Sequence, residues 1–176
     1  MRDADGDELV AFYSGTGPDA RGRLLTDVWS LSLDELEHSH DYIQWLFPLP
    51  ERSRAQPDSP VLSPRAVQVI SGSREMHGRL LLSADKMGAF YGFELTRSLD
   101  AFTVRLADTF PARKRVWMSP GNHNYLRHTR IMKSLVILGV APLARAWFGC
   151  LDDLYRANES VIGAQTHRYW LDAIRA

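Results

Sequence analysis

Asn122-His123-Asn124-Tyr125-Leu126-Arg127-His128-Thr129-Arg130-Ile131-Met132-Lys133-Ser134-Leu135-Val136-Ile137-Leu138-Gly139 is the stretch on which the fold class turns. The Asn122 side chain suits the free amides of a helix start, and Gly139 supplies a stop. Between them, Tyr125, Met132, Leu135 and Val136 share one side of a 3.6-residue wheel. His123, Arg127, Arg130 and Ser134 share the other, with Lys133 at its edge. The spacing predicts a helix to about Leu138. Pro142 then suits a first helical position, with Leu143, Trp147, Cys150, Leu151 and Leu154 on one stripe behind it.

The same period runs outward from this pair. Leu9, Phe12 and Tyr13 suggest a short first helix, stopped by Ser14-Gly15-Thr16-Gly17-Pro18. Ser32 and Glu35 form a capping box, and Leu33, Leu36, Ile43 and Phe47 behind them read as one helix face ended by Pro48. Pro48 to Pro64 holds five of the nine prolines and reads as a long ordered loop. Ser63-Pro64 opens a helix through Ile70. Met76, Leu80, Ala84, Met87 and Tyr91 mark another that closes near Gly92. Ser98 reads as the cap of a helix bearing Leu99, Phe102 and Leu106, interrupted by Pro111, and His167, Trp170, Leu171 and Ile174 form a last face. Strand-like alternation is nearly absent. The expectation is an all-α chain over residues 1–176: a single compact domain of roughly seven or eight helices.

Composition narrows the function classes. Twenty-one basic side chains balance 21 acidic ones, so the chain lacks the basic excess of a general nucleic-acid binder. Cys150 is the only cysteine, which excludes an internal disulfide and fits a reducing cytoplasm. Residues 1–8 are acidic, without the apolar core of a signal peptide. Leu135 to Leu151, the most apolar stretch, is broken by Gly139, Pro142 and Arg145, a buried helix pair and not a membrane span.

Two segments go beyond generic helix. Leu36-Glu37-His38-Ser39-His40-Asp41-Tyr42-Ile43-Gln44-Trp45-Leu46-Phe47-Pro48 resembles a signature of the opioid growth factor receptor conserved domain, in which an acidic residue and a histidine precede Tyr-Ile-Gln-Trp-Leu-Phe-Pro. His123 to Leu135, ending at Gly139, resembles that family's second signature, and Phe90-Tyr91-Gly92 lies between them as it does in the family. The resemblance covers roughly residues 8–155. It departs from the family pattern at His128, where isoleucine is expected, and at Met132, where leucine is expected. The family is named for a receptor of the peptide Met-enkephalin that associates with the nucleus in growth control. The resemblance implies a ligand- or peptide-binding domain, and it brings no peptide-contacting residues with it.

On a helical wheel Glu37, His40 and Gln44 form one row beside Leu33 and Leu36. Such a row either lines a pocket or forms a buried network, because unpaired buried polar groups are costly. His123 at a helix start with Arg127 one turn on suits a carboxylate or phosphate; equally, these cations suit a solvated face or pairing with Glu37 or Asp41. His128 falls on the apolar side and reads as a core histidine. Glu37 and His40 have the Glu-x-x-His spacing of di-iron bundles, but no second such pair exists. Arg113-Lys114-Arg115-Val116-Trp117 is the strongest basic cluster, with Trp117 as a stacking surface if nucleic acid were bound. Trp45 falls off its helix stripe, as a wall against the Pro-rich loop or as plain packing. Cys150, on an apolar stripe, reads as inert. No phosphate-binding loop or nucleophile elbow occurs, and nothing names a cofactor or metal.

Three functions follow. The first is a non-catalytic domain whose small-molecule or peptide site is lined by Glu37, His40, Gln44, Trp45, His123, Asn124, Arg127 and Arg130. The second is a small-molecule enzyme with a His/Arg pocket between the two signature helices, moving protons on His40 or His123. The third is a purely structural partner-docking domain with no pocket and a broad apolar surface patch.

Overall fold

A computed structural model describes residues 4–98 and 101–175. The chain divides into two compact units, Met1–Ser83 and Ala84–Ala176. The described residues form eleven helices and one two-stranded antiparallel sheet, so the fold is mostly helical and not all-α.

The first unit holds α1 (Ala4–Ser14), α2 (Leu25–Ser30), α3 (Leu33–His38), α4 (Ile43–Leu46) and α5 (Pro64–Gly72), and α6 (Arg74–Tyr91) begins in it. Residues 48–63 form neither helix nor strand, as their prolines predict. Leu9, Phe12 and Tyr13 of α1 are fully buried, and the ring of Phe12 meets that of Trp45 at 5.3 Å. The Tyr13 hydroxyl donates to the carbonyl of Leu46. Burial holds this phenol well above its ordinary pKa, so it stays a donor.

The run from Ser32 to Phe47 is broken, where its apolar spacing predicts one helix. Ser32 and Glu35 form the capping box, but Ser39 is extended (φ −91°, ψ 135°) and α3 ends at His38. Just past the break, Asp41 is held by residues from outside the run. Asp19 accepts the backbone amides of Arg21 and Arg23 at 2.8 and 2.9 Å, which turns that loop and aims both guanidiniums. Arg23 bonds Asp19 at 2.7 Å and Asp41 at 2.9 Å, and Arg21 reaches Asp41 at 2.5 Å. Burial alone would raise the pKa of Asp41, yet the hydrogen bond and charge of Arg23, with Arg21, keep its carboxyl below the usual range.

Asp19→Ala is therefore expected to destabilise the protein by about 2–3 kcal/mol, since two part-buried amides and a guanidinium lose their buried acceptor. Arg65→Ala, which breaks the exposed pair of Arg65 with Asp7, should cost no more than about 0.5 kcal/mol. Urea denaturation of the two variants checks the contrast.

The second unit holds the end of α6, β1 (Phe93–Arg97), β2 (Phe102–Leu106), α7 (Phe110–Trp117), α8 (Asn124–Ile137), α9 (Ala141–Ala157), α10 (Glu159–Ile162) and α11 (Ala164–Ala173). The hairpin stands where sequence spacing predicts a helix from Ser98. Phe102 and Leu106 are four apart, which suits both a helix face and a strand face; Phe102-Thr103-Val104-Arg105-Leu106 alternates and pairs with β1, Phe93 facing Leu106 and Arg97 facing Phe102. Ser98 closes the turn by donating its amide to Ala101 at 2.9 Å, and Leu99 lies outside the described residues. Pro111 opens α7 instead of ending a helix. The helices read from Asn122 and Pro142 form as predicted, and Gly139 terminates α8 with φ +86°.

Candidate functional site

The sequence-derived site residues fall in both units. In the first, Gln44 and Trp45 are buried, Glu37 is half-buried and His40 is exposed. Because α3 stops before His40, Glu37, His40 and Gln44 do not share one helical face. Trp45 lines a small cleft of about 190 Å³ with Asp19, Arg23, Asp41 and the loop residues Gln56 and Asp58. It is a wall against the Pro-rich loop. The buried Oε1 of Gln44 has no hydrogen-bond partner among the described residues.

In the second unit the polar residues of α8 are largely internal. Asn122 caps the helix: its Oδ1 accepts the Asn124 amide at 3.0 Å, and its Nδ2 donates to Val116 O at 3.2 Å. The Asn124 side chain donates to the same Oδ1 and accepts from Arg127 Nη1 at 3.1 Å. Asn124 and Arg127 are buried, while His123 is exposed and Arg130 half-buried. Arg127 thus belongs to a cap-linked network as well as to the basic row read from sequence.

His128 sits at the centre of an aromatic cluster. Its ring lies 3.8 Å from that of Tyr91 and 4.9 Å from that of Trp117, with Trp147 and Trp170 about 6 Å away. Trp147 Nε1 donates to Nδ1 at 3.1 Å, so the neutral ring carries its proton on Nε2, which has no partner among the described residues. Burial, then the nearby Arg127 charge, pushes the His128 pKa well below its ordinary value. This histidine is a neutral core group, as its place in the sequence suggests.

Trp117 is fully buried and donates to Tyr91 O at 3.1 Å, so it presents no stacking surface to a nucleic-acid base. Arg113 beside it donates to Phe90 O at 2.7 Å and lies over the Phe90 ring at 5.0 Å. The basic cluster is partly a structural clamp. Among the described residues no group of three His, Cys, Asp or Glu stands together as a metal site. No described helix is long and apolar enough to cross a membrane.

Sequence reading misses a further concavity among the described residues. It is an open groove of about 530 Å³, within the range of ligand sites, formed by all five residues of β2 and by α9. Ala146, Gly149, Cys150, Asp153, Leu154 and Ala157 supply its α9 side. These positions recur at helical spacing, and four of the six are Ala, Gly or Cys, so small side chains leave the space open. Burial, and secondarily the charge of Asp153, raises the Cys150 pKa to about 12, so the thiol is a neutral, unreactive lining group. The signal in sequence is this run of small residues beside the Leu143–Trp147–Leu151 stripe, sharing Cys150 and Leu154 with its edge.

The chain is thus mostly helical, with an aromatic cluster around His128 and an open, mainly apolar groove beside β2. Its sequence matches the conserved region of the opioid growth factor receptor over residues 18–176, and the chain belongs to that family. It is 37% identical to the opioid growth factor receptor of Homo sapiens over 153 residues, covering 84% of this chain and 22% of that protein. It is 38% identical to the Rattus norvegicus receptor over 131 residues, covering 70% of this chain and 22% of that one. To opioid growth factor receptor-like protein 1 of Mus musculus it is 35% identical over 111 residues, 63% of this chain and 23% of that protein. The chain spans under a quarter of the length of these relatives. No solved structure matches it.

Proposed function

We propose that this chain is a non-catalytic peptide-binding domain. The observation that carries the reading is the groove beside β2: open, mainly apolar, and large enough for several residues of a ligand. The name of the relatives, receptors for an opioid growth factor, supports a peptide as the ligand class. The alternative, an enzyme working through His40 or His123, has less support, since neither histidine lines this groove. The signature residues are proposed as two secondary polar sites, one in each unit: Glu37, His40, Gln44 and Trp45 in the first, motivated by the buried Gln44 Oε1 without a partner among the described residues, and His123, Asn124, Arg127 and Arg130 in the second.

Amide chemical-shift mapping tests both places at once. The uniformly labelled protein is titrated with Met-enkephalin and with heptapeptides selected from a displayed random library. Saturable shifts along β2 and α9 are the expected result. Shifts confined to α4, or to the start of α8, would move the site to the signature residues of that unit. No saturable shift with any peptide would overturn the reading.

A further inference from the structure

We infer that the groove takes its ligand as an added β-strand, an extended peptide segment hydrogen-bonded along the free edge of β2. The inference rests on the peptide-binding reading and adds the mode of recognition. A cavity over one face of a sheet touches every second residue of a strand, because successive side chains alternate. This groove is lined by Phe102, Thr103, Val104, Arg105 and Leu106 consecutively and by no residue of β1, so it runs along the outer edge of β2.

The ladder shows which main-chain groups that edge offers. In an antiparallel pair, alternate residues exchange both of their N–H···O bonds. Ala107 donates to Gly92 O and Ser98 to Ala101 O, each at 2.9 Å, and these continue the register that sets Glu94 opposite Arg105 and Thr96 opposite Thr103. The bonds to β1 therefore fall on Thr103 and Arg105. The amides and carbonyls of Phe102, Val104 and Leu106 point outward, and among the described residues none has a hydrogen-bond partner.

Such a row matches another extended backbone. The common devices that blunt a free edge, a proline or a lysine in the strand, are missing from Phe102-Thr103-Val104-Arg105-Leu106. The five residues of β2 span about 17 Å, so the bound segment is five or six residues long. Charge selects its chemistry. Among the described residues Arg105 and Asp153 are the charged groups lining the groove and they cancel, while Phe102, Val104, Leu106 and Leu154 supply apolar surface. A neutral segment with apolar side chains at alternate positions fits it; a polyphosphate strand does not. This is the strand-addition mode of peptide recognition, in which main-chain bonds give affinity and alternate pockets give selectivity.

The test uses a heptapeptide selected from the displayed library, with amide hydrogen exchange and a scan of single N-methylations. Exchange at Phe102, Val104 and Leu106 is expected to slow on binding, with little change at Thr103 and Arg105, already bonded to β1. N-methylation at every second peptide residue should weaken binding roughly tenfold, and at the intervening residues much less. Gly149→Trp, at a helical position with no atom within 4 Å of an added Cβ, should fold normally and abolish binding. Peptide binding that survives Gly149→Trp, or protects no β2 amide, overturns strand addition and leaves the peptide-binding reading standing. Failure of every peptide to bind overturns both. Slow exchange of the same three amides without peptide, together with dimers by sedimentation, would overturn it in favour of a second copy.

Discussion

Gly92→Ala is expected to destabilise the protein by about 3 kcal/mol, roughly 10 °C in Tm for a chain of this size. Gly92 joins α6 to β1 with φ +78°, where a side chain alone costs about 1–2 kcal/mol. Space is the second constraint. An added Cβ would lie 2.6 Å from the Cα and 3.0 Å from the N of Phe110, backbone atoms at the start of α7 that no rotamer change can move aside. Gly92 O also accepts the Ala107 amide at 2.9 Å, so any local shift pulls on the hairpin. Gly149→Ala is the control. That glycine lies inside α9 with nothing within 4 Å of a new Cβ, and alanine there should be stabilising by about 0.5–1 kcal/mol. Thermal unfolding of the two alanine variants, shifting in opposite directions, checks the argument. Equal shifts would refute it.

The contrast between legible and illegible parts follows from where each constraint lives. The α8–α9 pair is readable because its caps, stop and apolar stripes all lie within the segments they shape: Asn122, Gly139, Pro142 and the Leu143 to Leu154 stripe. The break after His38 is followed by contacts of Asp41 with Arg21 and Arg23, from another part of the chain, which no wheel drawn on residues 32–47 contains. Phe102 and Leu106 mislead for a different reason, since a spacing of four satisfies both periods and the alternation of Thr103 and Arg105 decides between them. Arg127 and Trp117 mislead because charge and aromaticity suggest surface roles, whereas Asn124 and the Tyr91 carbonyl draw both inward. The groove is least legible of all. Its recognition groups are main-chain amides of β2, which carry no side-chain signature, over a helix face marked only by small residues.

His128 carries the prediction that reaches furthest into the core. Protonation would place a cation among Tyr91, Trp117, Trp147 and Trp170 with Arg127 close by. Favourable ring faces return at most about 2 kcal/mol, less than the several kcal/mol that desolvating a charge costs. The folded-state pKa is therefore depressed below about 6.5, the value the unfolded chain keeps. Between these two values the unfolded state binds more protons, so stability rises with pH across the window and is complete above its upper limit. As pH falls below about 6.5, stability should decline by up to about 1.4 kcal/mol per unit until the folded-state pKa is reached. Asp41, whose carboxyl pKa is lowered, loses its own contribution only below the ordinary carboxylate range of about 4, so it adds no slope between about pH 6.5 and about pH 5. His128→Asn keeps an acceptor for the Trp147 Nε1 proton and removes the titration. This variant should be less stable at neutral pH, because a ring leaves the cluster, yet show a flatter profile between about pH 6.5 and about pH 5. Urea denaturation across that range compares the slopes. A variant with the parent's slope would assign the pH dependence to other groups.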